Sequence, residues 1–200
     1  MGDVADLLGR PGVDEVCDLR SRIGFMAFHG GALELGTDVI ASAAAQRCGA
    51  SYYGVLQPDD LLWHIPSTRF RASESPALAS FLAHVDLVVT VHGYGRRGMF
   101  TSALLGGRNR GLAGHLAATL SARLPVYDFV TDLDSIPVEL RGLHTDNPVN
   151  VPPDAGVQIE LPPRLRGSSP LWWDWEGPEP PPHTTRLIDA LADAMDAWTG

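Results

Sequence analysis

Residues 22–48 read RIGFMAFHGGALELGTDVIASAAAQRC, and the fold turns on how this stretch divides. Arg22 to His29 is a short apolar run closed by Gly30 and Gly31, the pattern of a buried strand entering a tight turn. Thr37 offers an N-cap and Asp38 suits a first helical turn. The alanine-rich segment after them predicts a helix closed by Gly49 and Ala50. Strand, turn and helix in that order form the repeating unit of an α/β protein.

The rest of the chain repeats the alternation. SYYGVLQ (51–57) reads as a strand and 75–83 as a helix. VDLVVTVHGYG (85–95) is a second β-branched run that ends on a histidine and a glycine. GLAGHLAATLSAR (111–123) has helical spacing, LPVYDFVTD (124–132) reads as a strand, and GVQIEL (156–161) is a short, clear strand. LWWDWEGPEPPP (171–182) reads as a proline-rich loop whose tryptophans pack it against the body of the domain. TTRLIDALADAMDAW (184–198) reads as an amphipathic closing helix with a threonine cap. With 200 residues and 44% hydrophobic content, the chain supplies one sizeable core. These features predict one α/β domain over residues 1–200, with a mixed, mostly parallel sheet and helices on both faces.

Composition narrows the function. No run reaches the roughly 18 to 20 apolar residues of a membrane span, and MGDVADLLGR carries acids where a secretory signal carries positive charge, so a cytoplasmic protein is expected. The net charge is −9, every basic residue is arginine, and none of them form a block, which argues against nucleic acid or an anionic membrane as partner. Cys17 and Cys48 are too few for a disulfide framework and form no C-x-x-C pair.

In open α/β sheets ligands bind beyond the carboxyl ends of the strands, which places His29, His92 and Glu160 along one rim. A catalytic zinc takes three protein ligands and keeps one position for water. His29, Glu34 and His92 meet that count, with Gly30 and Gly31 letting the backbone turn so that Glu34 swings back. The structural alternatives are strand-end histidines bonded to backbone, and a Glu160 ion-paired to Arg164 or Arg166. His84, His115, His144 and His183 have no ligand spacing.

Taken in order, FHGGALELGTDVIA, LWHIPSTRF, VVTVHGYG, LLGGRNRGLAGHL and DNPVNVPPDAGVQIELPPRLR make most of the chain resemble the phage-type poly-γ-glutamate hydrolases. These are zinc peptidases related in fold to the zinc carboxypeptidases. The resemblance implies Zn2+ held by His29, Glu34 and His92, with Glu160 as general acid/base. The H-x-x-x-x-E spacing departs from the H-x-x-E of ordinary zinc carboxypeptidases. Ala32, Leu33 and Leu35 differ from the family's usual G-I-E-P-G-T, and Pro66 interrupts its H-I-T-S.

Residue chemistry adds Arg108 for an oxyanion or a substrate carboxylate. It also adds Asn147 and Asn150 as amide donors and His64 as a cleft residue. The activity that the resemblance implies is hydrolysis of γ-glutamyl amide bonds in poly-γ-glutamate. The alternatives are a small N-acyl amino acid or γ-glutamyl compound as substrate, or a binding protein that does not catalyse.

Overall fold

The computed structural model describes residues 4–168, 175, 177 and 179–200. In chain order the elements are α1 (Val4–Leu8), β1 (Asp14–Asp18), β2 (Ile23–Gly31), α2 (Thr37–Arg47), β3 (Ser51–Gln57) and α3 (Pro76–His84). Then come β4 (Leu87–Gly93), β5 (Ser102–Leu105), α4 (Arg110–Arg123), β6 (Asp128–Val130), β7 (Gly156–Leu161) and α5 (Pro182–Asp196). Seven strands form one sheet in the order β1-β3-β2-β4-β7-β5-β6. The central four, β3, β2, β4 and β7, are parallel. β1 runs antiparallel to β3, and β5 antiparallel to β7 with β6 parallel beside it. This is the mixed, mostly parallel α/β sheet that the alternation predicts.

Period-two alternation along the strands divides the interior into two cores. Phe25 and Ala27 of β2, Val89 and Val91 of β4, and Val157 and Ile159 of β7 pack on one face with Ile40 of α2, Leu112 and Leu116 of α4, and Leu187 and Ile188 of α5. Met26 and Phe28 of β2, Tyr53 and Val55 of β3, and Val88 of β4 pack on the other face with Leu7 of α1 and Leu78 and Phe81 of α3. Helices thus cover both faces, as parallel strands buried on two sides require.

Chain direction explains where a site can form. β2 is followed through α2 by β3 on one side, whereas β4 joins β2 on the other side. The strand order therefore reverses between β2 and β4, and the crevice beyond their carboxyl ends is the place where α/β sheets bind ligands.

Several local expectations need correcting. Thr37 is the first residue of α2, not its cap. Gly36 occupies the cap position at φ 85°, and the Thr37 hydroxyl donates to the Glu34 carbonyl at 2.8 Å. The closing helix starts at Pro182, and Thr184 donates its hydroxyl to the Leu165 carbonyl at 3.0 Å rather than capping. Of the strand expected over 124–132, only Asp128–Val130 forms. The short elements α1, β1 and β5 carried no strong periodic signal. Most of the tryptophan segment, 171–174, lies outside the described residues.

The turn after β2 depends on one glycine. Gly31 sits at φ 68°, and a Cβ there would meet the Gln57 carbonyl oxygen at 2.3 Å. A Gly31→Ala variant is expected to lose about 1–3 kcal/mol of stability from backbone strain, more if β3 must shift. Urea unfolding monitored by circular dichroism checks this, and an unchanged midpoint would contradict it.

Candidate functional site

The parallel register sets His92 of β4 directly beside Glu160 of β7. Both are even-numbered and point to the face that carries α3. His29 should by simple alternation point the opposite way from Phe28. It does not, because β2 pairs Ala27 with Gly54 but Gly30 with Leu56, so one extra residue is accommodated on β2. Such a bulge re-aims a side chain. Phe28 and His29 consequently share the α3 side, where His29 lies 5.1 Å from the His92 ring and 6.2 Å from that of Phe70.

Beyond the bulge the chain doubles back. The Glu34 amide donates to the His29 carbonyl at 2.8 Å, and the Gly31 amide donates to Asp38 at 3.1 Å. This turn returns the Glu34 carboxylate to the histidines. Its Oε1 is 2.7 Å from His29 Nδ1, while its Oε2 accepts the Gly93 amide at 2.8 Å and lies 3.5 Å from His92 Nδ1. His29 Nε2 faces the Ile65 carbonyl at 2.8 Å. His64 stacks near His29 with ring centroids 4.6 Å apart, and donor atoms of His29, Glu34 and His64 all fall within 4.8 Å of one another.

Donor accounting shows what this cluster needs. A neutral imidazole carries one N–H, yet each nitrogen of His29 faces an acceptor, Glu34 on one side and Ile65 on the other. One contact therefore needs a second proton or a cation in its place. A cation held by His29 and Glu34 would meet that need, and the Ile65 carbonyl beside His29 Nε2 is the kind of outer contact that orients metal-binding histidines. Two imidazoles and a carboxylate are also a zinc donor set. The mutually close donors of His29, Glu34 and His64 fit a zinc ion, and His92 adjoins them through Glu34 at 3.5 Å.

Burial and charge act in opposite directions here. Burial alone would raise the Glu34 pKa, but hydrogen bonds and charge from His29 and His92 outweigh it and hold the carboxylate well below its usual range. For His92 burial favours the neutral ring, yet Glu34 and then Glu160 pull its pKa above the ordinary value. Glu160 is pushed up, chiefly by burial, with His92 opposing and the Glu34 charge reinforcing.

A cavity of about 530 Å³ opens onto these groups, lined by His29, Glu34, His64, His92 and Glu160 together with Ser67, His144, Asn147 and Gln158, among others. Four of the expected residues are thus joined by His64 and Asn147. Asn147 is part of a relay: its amide donates to Gln158 Oε1 at 2.8 Å, and Gln158 Nε2 donates to Glu160 Oε1 at 2.8 Å. Sequence reading does not single out Gln158, although its place two positions before Glu160 in a strand puts it on the same face. Ser67, 3.3 Å from His92 Nε2, and His144 were missed as well.

Arg108 and Asn150 are not brought to the cavity. Arg108 follows β5, and because β5 is antiparallel to β7 the turn arrives at Gly156, the opposite end of β7 from Glu160. Its side chain is exposed. Asn150 instead staples the cavity's rim: its amide donates to the carbonyls of Gly142 (2.7 Å) and His144 (2.9 Å), and its carbonyl accepts the Arg108 amide at 3.1 Å. Nor does Glu160 pair with Arg166, whose guanidinium goes to main-chain carbonyls.

The architecture and rim define a carboxypeptidase-like α/β fold. It matches a protein from Shewanella denitrificans OS-217 described as a carboxypeptidase A, with TM-score 0.53 and 14% identity over 96% of this chain and 66% of that one. It matches a bacteriophage poly-gamma-glutamate hydrolase more fully, with TM-score 0.76 and 20% identity over 92% of this chain and 88% of that one. The zinc-free apo form of YndL gives 0.77 and 20% over 93% and 90%. No curated protein sequence matches. The profile of the poly-gamma-glutamate hydrolase family covers residues 10–169, and the chain belongs to that family.

Asn150→Ala removes all three of its bonds from the rim. The segment 142–150 is expected to exchange amide hydrogens at least tenfold faster, each lost bond being worth about 1 kcal/mol. Exchange in β4 should stay as in the wild type. Hydrogen-exchange mass spectrometry distinguishes this from global destabilisation.

Proposed function

We propose that the protein is a zinc-dependent hydrolase of γ-glutamyl amide bonds, with poly-γ-glutamate as its substrate. The observation that carries this reading is the convergence of His29 Nδ1 and His92 Nδ1 on the Glu34 carboxylate, with a buried Glu160 beside them in the same cavity. His29, Glu34 and His92 would hold the ion. When bound, zinc supplies a Lewis acid that polarises a carbonyl and makes water more acidic.

The remaining chemistry belongs to the side chains. Glu160 accepts a proton from the attacking water and delivers it to the leaving nitrogen as the amide C–N bond breaks, so the products are a free carboxylate and an amine. Burial raises its proton affinity above that of an ordinary carboxylate. Gln158 and Asn147 keep its carboxylate turned toward the cavity, and His64 with Asn147 faces the substrate. Arg108 has no part in this scheme.

One observation favours a second reading. Among the described residues that line the cavity there is no arginine, and its basic side chains are the imidazoles of His29, His64, His92 and His144. A small γ-glutamyl amide or N-acyl amino acid asks for less positive charge than a polyanion does. Comparing cleavage of poly-γ-glutamate with that of small γ-glutamyl amides, by release of new amino groups, separates the two readings.

Protein loaded with zinc is expected to shorten poly-γ-glutamate, seen by size-exclusion chromatography. Glu160→Gln should keep about one zinc per chain by elemental analysis and lose about 10²- to 10⁴-fold in kcat. Turnover left intact in that variant would defeat the mechanism.

His29→Ala is expected to lose the metal. In the wild type, zinc at about 100 times Kd should add about 2.7 kcal/mol of stability that a chelator removes. The melting temperature measured with and without chelator reads this, and no difference would mean that no ion is held.

A further inference from the structure

Arg166 lies in the turn after β7, and only 7% of it is exposed. A buried guanidinium is expensive unless its N–H groups find acceptors. It finds them in main chain: Nε donates to the Leu161 carbonyl at 3.2 Å and Nη1 to the Leu35 carbonyl at 2.6 Å. Its planar group also lies against Gly93, where an added Cβ would meet Cζ at 2.6 Å and Nε at 2.8 Å. These three contacts share a feature. Leu35 follows Glu34, Gly93 follows His92 and Leu161 follows Glu160. One rigid, planar side chain therefore touches the residue next to three of the four groups that the proposed mechanism needs.

We propose that Arg166 is a positioning residue that sets the spacing of Glu34, His92 and Glu160, an inference that rests on the reading of this site as a zinc hydrolase. The geometry calls for arginine specifically. A lysine ammonium is a point charge without the fork that spans two carbonyls, and it has no plane to lay against a glycine backbone. The absence of a side chain at Gly93 is then a requirement of the same arrangement, since any Cβ would displace the guanidinium. The neighbouring carboxylates Glu34 and Glu160 offset part of the burial cost of its charge. Arg166 reaches the chemistry only through backbone, so its loss should alter the quality of the site more than the affinity for substrate.

The test compares wild type, Arg166→Lys and Arg166→Met. Each is examined for melting temperature, for zinc affinity by competition with a chromophoric chelator, for the visible spectrum after cobalt substitution, and for kcat and KM on poly-γ-glutamate. Both variants are expected to bind zinc about 10- to 100-fold more weakly, the usual cost of losing a group that orients ligands. Their cobalt bands should shift, and kcat should fall at least tenfold with KM within about twofold. Arg166→Lys keeps the charge and the stem, so it remains informative if Arg166→Met fails to fold. Variants that melt lower but keep the wild-type cobalt spectrum, zinc affinity and kcat would make Arg166 merely structural and overturn the proposal. A wild type that neither binds zinc nor hydrolyses its substrate would overturn the parent reading, and this inference with it.

Discussion

One extra residue in β2, between Ala27 and Gly30, is the constraint on which the site depends. Without it His29 would follow Phe25 and Ala27 into the core beneath α2 and α5, on the wrong side of the sheet from His92 and Glu160. With it, Phe28 and His29 face the same way. Phe28 fills the apolar layer with Tyr53 and Phe70, and His29 stands at its edge. The same displacement brings Gly30 and Gly31 onto β3, where Gly31 can make the left-handed turn that folds Glu34 back over the histidines. A local irregularity in strand pairing thus decides which face the chemistry occupies.

The charges gathered there are stable only as a set. Glu34, His92 and Glu160 each lie in surroundings that by themselves favour a neutral form; the histidines shift Glu34, while His92 and Glu160 are each shifted by the other and by Glu34. Removing one member leaves an uncompensated buried charge, which costs far more than the pair contributes. The second core beneath this rim is built from apolar side chains such as Leu78, Phe81 and Phe70. The remaining groups are held by short-range main-chain contacts: Ile65 to His29, Gly93 to Glu34, and Leu35 and Leu161 to Arg166.

Much of this was legible in the sequence, for reasons that can be stated residue by residue. β2, β4 and β7 are apolar runs with a clear end, and a histidine at the close of two such runs marks a rim whatever the fold's finer details. Glu34 was readable because the paired glycines before it permit the chain to return. The bulge was not readable, since it has no composition signal apart from those glycines, and the face of His29 followed from it. The reversal of β5 was equally hidden. A four-residue strand carries no mark of its direction, and that direction alone separates Arg108 from Glu160. Gln158 could have been found from strand periodicity, and Asn147, expected to reach a substrate carboxylate, lines the cavity with its amide on Gln158. Charge alone makes Arg166 a candidate partner for Glu160. Its actual acceptors are carbonyls, which no sequence pattern announces.

The distribution of arginine bears on what the cavity can admit. Arg20, Arg22, Arg47, Arg71, Arg96, Arg123 and Arg141 are each paired with a carboxylate at the surface, and the chain as a whole carries −9. The long-range field therefore does not draw a polyanion inward, and screening at physiological salt confines any attraction to about 8 Å. An anionic substrate must be held by what it meets inside: imidazoles, the amide of Asn147, and any cation held between Glu34 and the histidines. On the proposed reading a cation held by Glu34 and the histidines would offset the carboxylates of Glu34 and Glu160, which otherwise repel a glutamyl carboxylate, and would supply the Lewis-acid chemistry of the reaction. Recognition and catalysis then draw on the same charge, and a site without its metal would lose affinity for an anionic substrate along with its activity.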